Sequence, residues 1–283
     1  MKIGLPKGLY YYYCQKWLYF FKELNIETII FDTSKEIIEL GNKISNSEMC
    51  LSLKIFLGHV YYLQDKCDYV LIPNLKYDYK NQMCSNFSSL YDLANNLLNI
   101  KILTFDNNKE IKNFIKIGKE LGFSSKKIKK AYKIATIKYN KNLKKLKIEN
   151  INKLNTSNKK ILLVGHSYNI RDKYLSEVID LLKKYNLEII YSDLFDDDYY
   201  FYLSKDLYWK YSKKNVSSVV YCKEKVDGIV FFTTFPCGLD SLVNELVMRK
   251  IDKPYLNLVI DDLDSLAGIE TRIESFADII EQN

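Results

Sequence analysis

The chain has 283 residues, 47% of them hydrophobic, and a formal net charge of +7. At roughly 100 to 200 residues per domain this is material for two ordinary cores. No stretch approaches the roughly 20 apolar residues of a membrane span, and MKIGLPKGLYYYY lacks the apolar run and small-residue cleavage site of a secretory leader, so a cytoplasmic protein away from membranes is expected.

The positive charge is local. Between Lys126 and Lys160 thirteen lysines stand against one acid, Glu149, a local +12 that leaves −5 for the remainder. No basic-and-aromatic recognition motif accompanies these lysines, so no nucleic-acid partner is expected.

In chain order, short Ile- and Val-rich runs alternate with longer segments of helical period, the pattern of parallel sheets wrapped by helices. A first strand is predicted at Ile3 to Leu5, followed by an aromatic helix from about Tyr10 to Leu24. A strand at Thr28 to Phe31 follows, then a helix capped by Ser34, with further strands at Tyr69 to Ile72 and Ile100 to Phe105. From Ser124 the apolar positions Ile128, Tyr132, Ala135, Tyr139, Leu143 and Leu146 step by three and four, which predicts a helix with its lysines facing solvent.

The pattern restarts at Lys160, with strands at Ile161 to Val164, Glu188 to Tyr191, Gly228 to Phe232 and Tyr255 to Ile260. The fold class is therefore α/β, two Rossmann-like doubly wound lobes with parallel sheets facing a central cleft. The lobes span 1–123 and 160–283, joined by a lysine-rich helix and linker at 124–159. Ligands of such sheets sit beyond the carboxyl ends of the strands. The aromatic residues from Tyr199 to Trp209 serve either an interface or a core, and core is the favoured reading.

Six cysteines lie far apart without paired spacings, which in a reducing compartment means thiols or metal ligands. Cys50, Cys84 and Cys237 each open a predicted helix, where backbone N–H groups and the helix dipole favour a thiolate and an anionic cluster. Cys14, Cys67 and Cys222 fall where cysteine acts as a small hydrophobe. His59 lies among Phe56, Val60 and Leu63 and reads as structural. His166 occupies the first strand-to-helix turn of the second half, a docking place for phosphates and cofactors. Gly4 and Gly8 lack the following Lys-Ser/Thr of a phosphate-binding loop, so the chain is not itself an ATPase.

The run Ile3-Gly4-Leu5-Pro6-Lys7-Gly8-Leu9, then Trp17, Phe20-Phe21-Lys22-Glu23-Leu24 and Cys50 with Gly58-His59-Val60 resembles the cluster-binding region of the large activases of 2-hydroxyacyl-CoA dehydratases and its stand-alone relatives. Gly165-His166, Tyr168-Asn169, Asp172, Phe235, Cys237-Gly238, Asp240-Ser241, Asp261 and Thr271-Arg272 with Phe276 continue the resemblance in order. It implies a two-lobed protein holding an oxygen-sensitive [4Fe-4S] cluster through Cys50, Cys84 and Cys237, with His166 and Tyr168 beside the cofactor. It also implies an ATPase activator as partner, a homologous subunit or second copy, and an acyl-CoA ligand.

The chain departs from that family in carrying Ser85 and Ser167 where proline is usual. It also reads Asp261-Asp262-Leu263-Asp264-Ser265-Leu266 where the family has an acidic stretch with histidine. The resemblance thus implies an iron–sulfur component in low-potential electron transfer or activation of anaerobic acyl-CoA metabolism, dehydratase- or reductase-like if it is an enzyme. The altered Asp261 region motivates an alternative, a divergent cluster-free binding or assembly partner of an activase ATPase. A third reading is a metal-free CoA- or nucleotide-binding enzyme using Lys7, Lys54, His166 and Arg272.

Overall fold

A computed structural model describes residues 1–9, 14–75, 82–106, 110–261 and 266–282. The chain forms two units, Met1–Lys144 and Lys145–Asn283, each built on a four-stranded sheet in which every pairing is parallel. Among the described residues no helix is long and apolar enough to cross a membrane.

The first unit runs β1 (Lys2–Gly4), α1 (Lys7–Leu9), α2 (Gln15–Glu23), β2 (Glu27–Ile29), α3 (Lys35–Ile44), α4 (Leu51–Leu63) and β3 (Tyr69–Pro73). It continues with α5 (Ser85–Ser88), α6 (Leu90–Leu97), β4 (Ile102–Phe105), α7 (Glu110–Glu120) and α8 (Ser125–Asn152). The sheet order is β2-β1-β3-β4. All four predicted strands are found here, within two residues at each end. The aromatic helix is described from Gln15, and Tyr10 to Tyr13 of the expected span lie outside the described residues.

Its apolar face supplies the core: the Trp17 ring stacks on Phe114 with centroids 3.7 Å apart, and Phe20 meets both edge-on. Ser34 caps α3 as expected, its side chain accepting from the Ile37 N–H at 3.3 Å. The α3 and α4 backbones meet at Gly41 and Gly58, positions where neither helix has room for a side chain. The lysine-rich segment is the helix α8, which buries Ile128, Ala131 and Ala135 in this core.

In the second unit the end of α8 is fastened by Asn150, which donates to the Tyr191 carbonyl at 3.0 Å and accepts from the Tyr191 N–H at 2.9 Å. There follow β5 (Lys160–Val164), α9 (Ser167–Ile170), α10 (Ser176–Lys184), β6 (Glu188–Tyr191), α11 (Lys210–Cys222), β7 (Gly228–Thr234), α12 (Gly238–Met248), β8 (Tyr255–Ile260) and α13 (Ala267–Gln282). The order β6-β5-β7-β8 repeats that of the first unit strand for strand.

Every residue of β7 is buried, as expected for a strand covered on both faces. Leu162, Val164, Ile229 and Phe231 share a cluster with Val216, Val219, Val243 and Val247 of α11 and α12. On the opposite face Gly228 is overlaid by Phe276 and Ile280 of α13. This is a doubly wound sheet.

The aromatic segment corrects the sequence reading. Tyr202 and Tyr208 are 72% and 62% exposed and Phe201 is also exposed. Tyr200 and Trp209 do pack against the core. The segment forms a single turn at Tyr200–Tyr202 instead of an element with one inward face, so several of its rings turn to solvent.

Candidate functional site

In both units the strand order reverses direction between the first and third strands, the place where an open α/β sheet leaves a crevice beyond its carboxyl ends. In the first unit that end carries Pro6 and Lys7 after β1, with Cys84 downstream of β3. In the second it carries His166 after β5 and Cys237 after β7. Cys84 and Cys237 thus hold equivalent positions, each capping the helix that follows its third strand.

Cys50 caps α4 with extended backbone (φ −64°, ψ 150°), and its carbonyl accepts from the Leu53 and Lys54 N–H groups. Cys84 caps the four-residue α5 with nearly the same angles (φ −63°, ψ 158°). Asn86, on that short helix, directs its side-chain amide at the Cys50 sulfur, 3.9 Å away. The first unit therefore brings the Cys84 segment up to Cys50. An N–H···S contact of this kind is what tunes ligating thiolates.

The second unit gathers its predicted residues around His166, which caps α9 and is 7% exposed. Its ring stacks on Tyr168 with centroids 4.9 Å apart and is met edge-on by Tyr211 at 5.4 Å. Its Nε2 lies 2.9 and 3.1 Å from the two carboxylate oxygens of Asp240, in the first turn of α12, the helix that Cys237 caps. A carboxylate accepts, so Nε2 carries a proton. Nδ1 is buried and has no hydrogen-bond partner among the described residues. Ser167, one of the two departures from the resemblance, donates its Oγ to Asp193 at 2.8 Å. Arg171 grips the same carboxylate with two nitrogens at 2.9 and 3.2 Å.

The remaining cysteines differ in kind. Cys14 and Cys222 are buried, and burial pushes both thiols up to about 12. Burial also raises Cys67, whose Sγ donates to the Leu63 carbonyl at 3.1 Å. Cys67 lines an open pocket with Asp68, Tyr69 and Lys101, at the amino ends of β1 and β3 and so at the opposite end of the sheet from the crevice. His59 is structural as expected. It is bonded to Thr33 Oγ1 at 2.9 Å, and burial, then the charge of Lys7, lowers it to about 3. Lys7 itself is paired with Asp32.

Cys50, Cys84 and Cys237 are half-buried and outside any disulfide, which fits the donor chemistry of an iron–sulfur cluster. Two belong to the first unit and one to the second. Among the described residues, no group of three or more His, Cys, Asp or Glu side chains stands ready around a single metal ion. Of the altered acidic stretch, Asp261 is exposed at the end of β8 and Asp262 to Ser265 lie outside the described residues.

Sequence reasoning did not assign Asn86 or Asp193 to the site and treated Asp240 only as a landmark. The spacing Cys237-x-x-Asp240 was the available signal, because residues three apart share the first turn of a helix.

A comparison with curated proteins gives no match. Residues 2–195, the whole first unit and β5 to β6 of the second, match the family described as CoA enzyme activase uncharacterised domain (DUF2229). That match spans more than half of the chain, and the chain belongs to this CoA enzyme activase-related family.

Proposed function

We propose that this protein is an iron–sulfur component of the 2-hydroxyacyl-CoA dehydratase/activase type, holding a [4Fe-4S] cluster through Cys50, Cys84 and Cys237. Its role is low-potential electron transfer or activation in anaerobic acyl-CoA metabolism, in the cytoplasm, with an ATPase activator as partner and an acyl-CoA ester as the ligand in reach. The observation that carries the reading is the division of the six thiols: three sit at half-buried helix starts, and three are absorbed into packing or a carbonyl hydrogen bond. Family membership supports the metabolic setting.

The cluster supplies one-electron chemistry at low potential. The protein's own residues present three sulfurs, two of them at the N-caps of α4 and α12, where the helix dipole favours a thiolate. Asn86 adds an N–H to the Cys50 sulfur, and further hydrogen bonds to sulfur set the potential. Cys50, Cys84 and Cys237 would hold three irons of such a cluster, and the fourth would be open to a water, hydroxyl or substrate oxygen.

The test is anaerobic reconstitution of a panel of single variants. Cys50→Ser, Cys84→Ser and Cys237→Ser each lower bound iron and the visible charge-transfer band, while Cys14→Ala and Cys222→Ala keep both. Equal iron in all five variants contradicts the ligand set. A colourless chain that nevertheless captures an activase-type ATPase establishes the cluster-free binding role instead.

A further inference from the structure

Asp240 stands three residues beyond the N-cap Cys237, the position from which an acidic side chain ordinarily reaches back to the N-cap N–H and screens the positive end of its helix. Here the Cys237 N–H is already taken by the Thr234 carbonyl at 2.9 Å. The Asp240 carboxylate is turned to His166, with both oxygens within 3.1 Å of Nε2. Cys237 itself makes no capping hydrogen bond through its sulfur. The ring is held by its place after β5 and by the Tyr168 and Tyr211 rings. Both partners are more than nine-tenths buried, at 7% and 5% exposure.

We infer that His166 is a positioning residue for Cys237: by holding the Asp240 carboxylate it keeps an acidic group off the start of α12 and leaves the first-turn N–H groups of that helix to the Cys237 sulfur. The inference rests on the reading of Cys237 as a cluster ligand. With the Cys237 N–H held by Thr234, an Asp240 carboxylate released from His166 draws on the remaining first-turn N–H groups that an N-cap sulfur would use and repels a thiolate there, so outer contacts of this kind change metal retention without touching the metal.

The experiment combines two readouts. In the reconstituted full chain, His166→Ala lowers iron retention against a chelator by about 10- to 100-fold, whereas His166→Gln, which keeps an N–H donor for Asp240, retains iron close to the unsubstituted chain. The double variant His166→Ala/Asp240→Ala retains iron as Asp240→Ala alone does, because no carboxylate remains to intrude. A double variant as poor as His166→Ala, or poorer, overturns the inference, since that is the result of a merely structural role.

The second readout needs no iron. Amide exchange at Leu239 and Asp240, the first-turn donors open to an N-cap side chain, slows in iron-free His166→Ala as the released carboxylate turns to the start of α12, and returns at Leu239 in the double variant. Unchanged exchange overturns the inference. A chain that takes up no iron in any form removes the proposed function, while the exchange rates still decide the role of His166.

Discussion

Replacing Gly58 by alanine tests the helix pair that presents Cys50. A Cβ at Gly58 lands on the Ile37 carbonyl, 3.0 Å from its carbon and 3.1 Å from the Gly41 nitrogen. The reciprocal Cβ at Gly41 falls on the Lys54 carbonyl, 2.7 Å from its carbon. The obstacle is backbone on both sides, so no rotamer change relieves it and the helices must separate. Overpacking of a closed contact costs about 1–3 kcal/mol, and the rigid partner places this case at the upper end. The better helix propensity of alanine returns about 1 kcal/mol. The net loss is about 2 kcal/mol, a fall in melting temperature of roughly 5–10 °C for a unit of this size. Thermal unfolding followed by circular dichroism measures it, with Gly268→Ala as control. Nothing lies within 4 Å of a Cβ at Gly268, and that variant melts at or slightly above the unsubstituted chain. A Gly58→Ala protein that melts no lower than its parent refutes the reasoning.

Further predictions concern buried polar groups. His59 is lowered from 6.5 to about 3, chiefly by burial, so the folded state keeps it neutral while the unfolded chain takes up a proton below 6.5. Its contribution is complete above 6.5 and lost as pH falls toward 3, with a slope of about 1.4 kcal/mol per pH unit between those limits. Urea midpoints at pH 7 and pH 5 measure this, and a His59→Phe variant with the same acid slope excludes it. The Asp193 side chain is 7% exposed and receives a two-nitrogen grip from Arg171. Arg171→Ala is expected to cost about 3 kcal/mol, because it removes the counter-charge and leaves that carboxylate only the Ser167 hydroxyl. Arg171→Lys recovers only part, because lysine keeps the charge but loses the fork and the guanidinium stack 3.7 Å over Tyr191. Urea titration distinguishes the two, and equal midpoints for Lys and Arg remove the argument. The His166→Ala/Asp240→Ala pair extends the same logic to iron retention.

The strands were legible because parallel strands covered on both faces read as continuous apolar runs: KILLV and YVLIP stand out from their Lys- and Asp-rich surroundings. Helix α8 was legible despite its lysines because Ile128 and Ala135 keep the helical step that buries them. The helix starts at Cys50, Cys84 and Cys237 lie where the sequence reading placed them. What the chain could not reveal locally was pairing across it. The partner of His166 is 74 positions away, and Asn86 meets Cys50 over 36. Such contacts follow from sheet order and helix placement, which no spacing encodes. The exposed Tyr202 and Tyr208 misled for the opposite reason, since an aromatic cluster carries no periodicity to tell core from surface.

The proposed function stands or falls with an iron–sulfur cluster on this chain. Iron and acid-labile sulfide determined on the unsubstituted protein after anaerobic reconstitution test it most directly, with low-temperature paramagnetic resonance of the dithionite-reduced sample. About four irons and four sulfides per chain with a reduced-cluster resonance are expected. A colourless protein with neither iron nor signal contradicts the account.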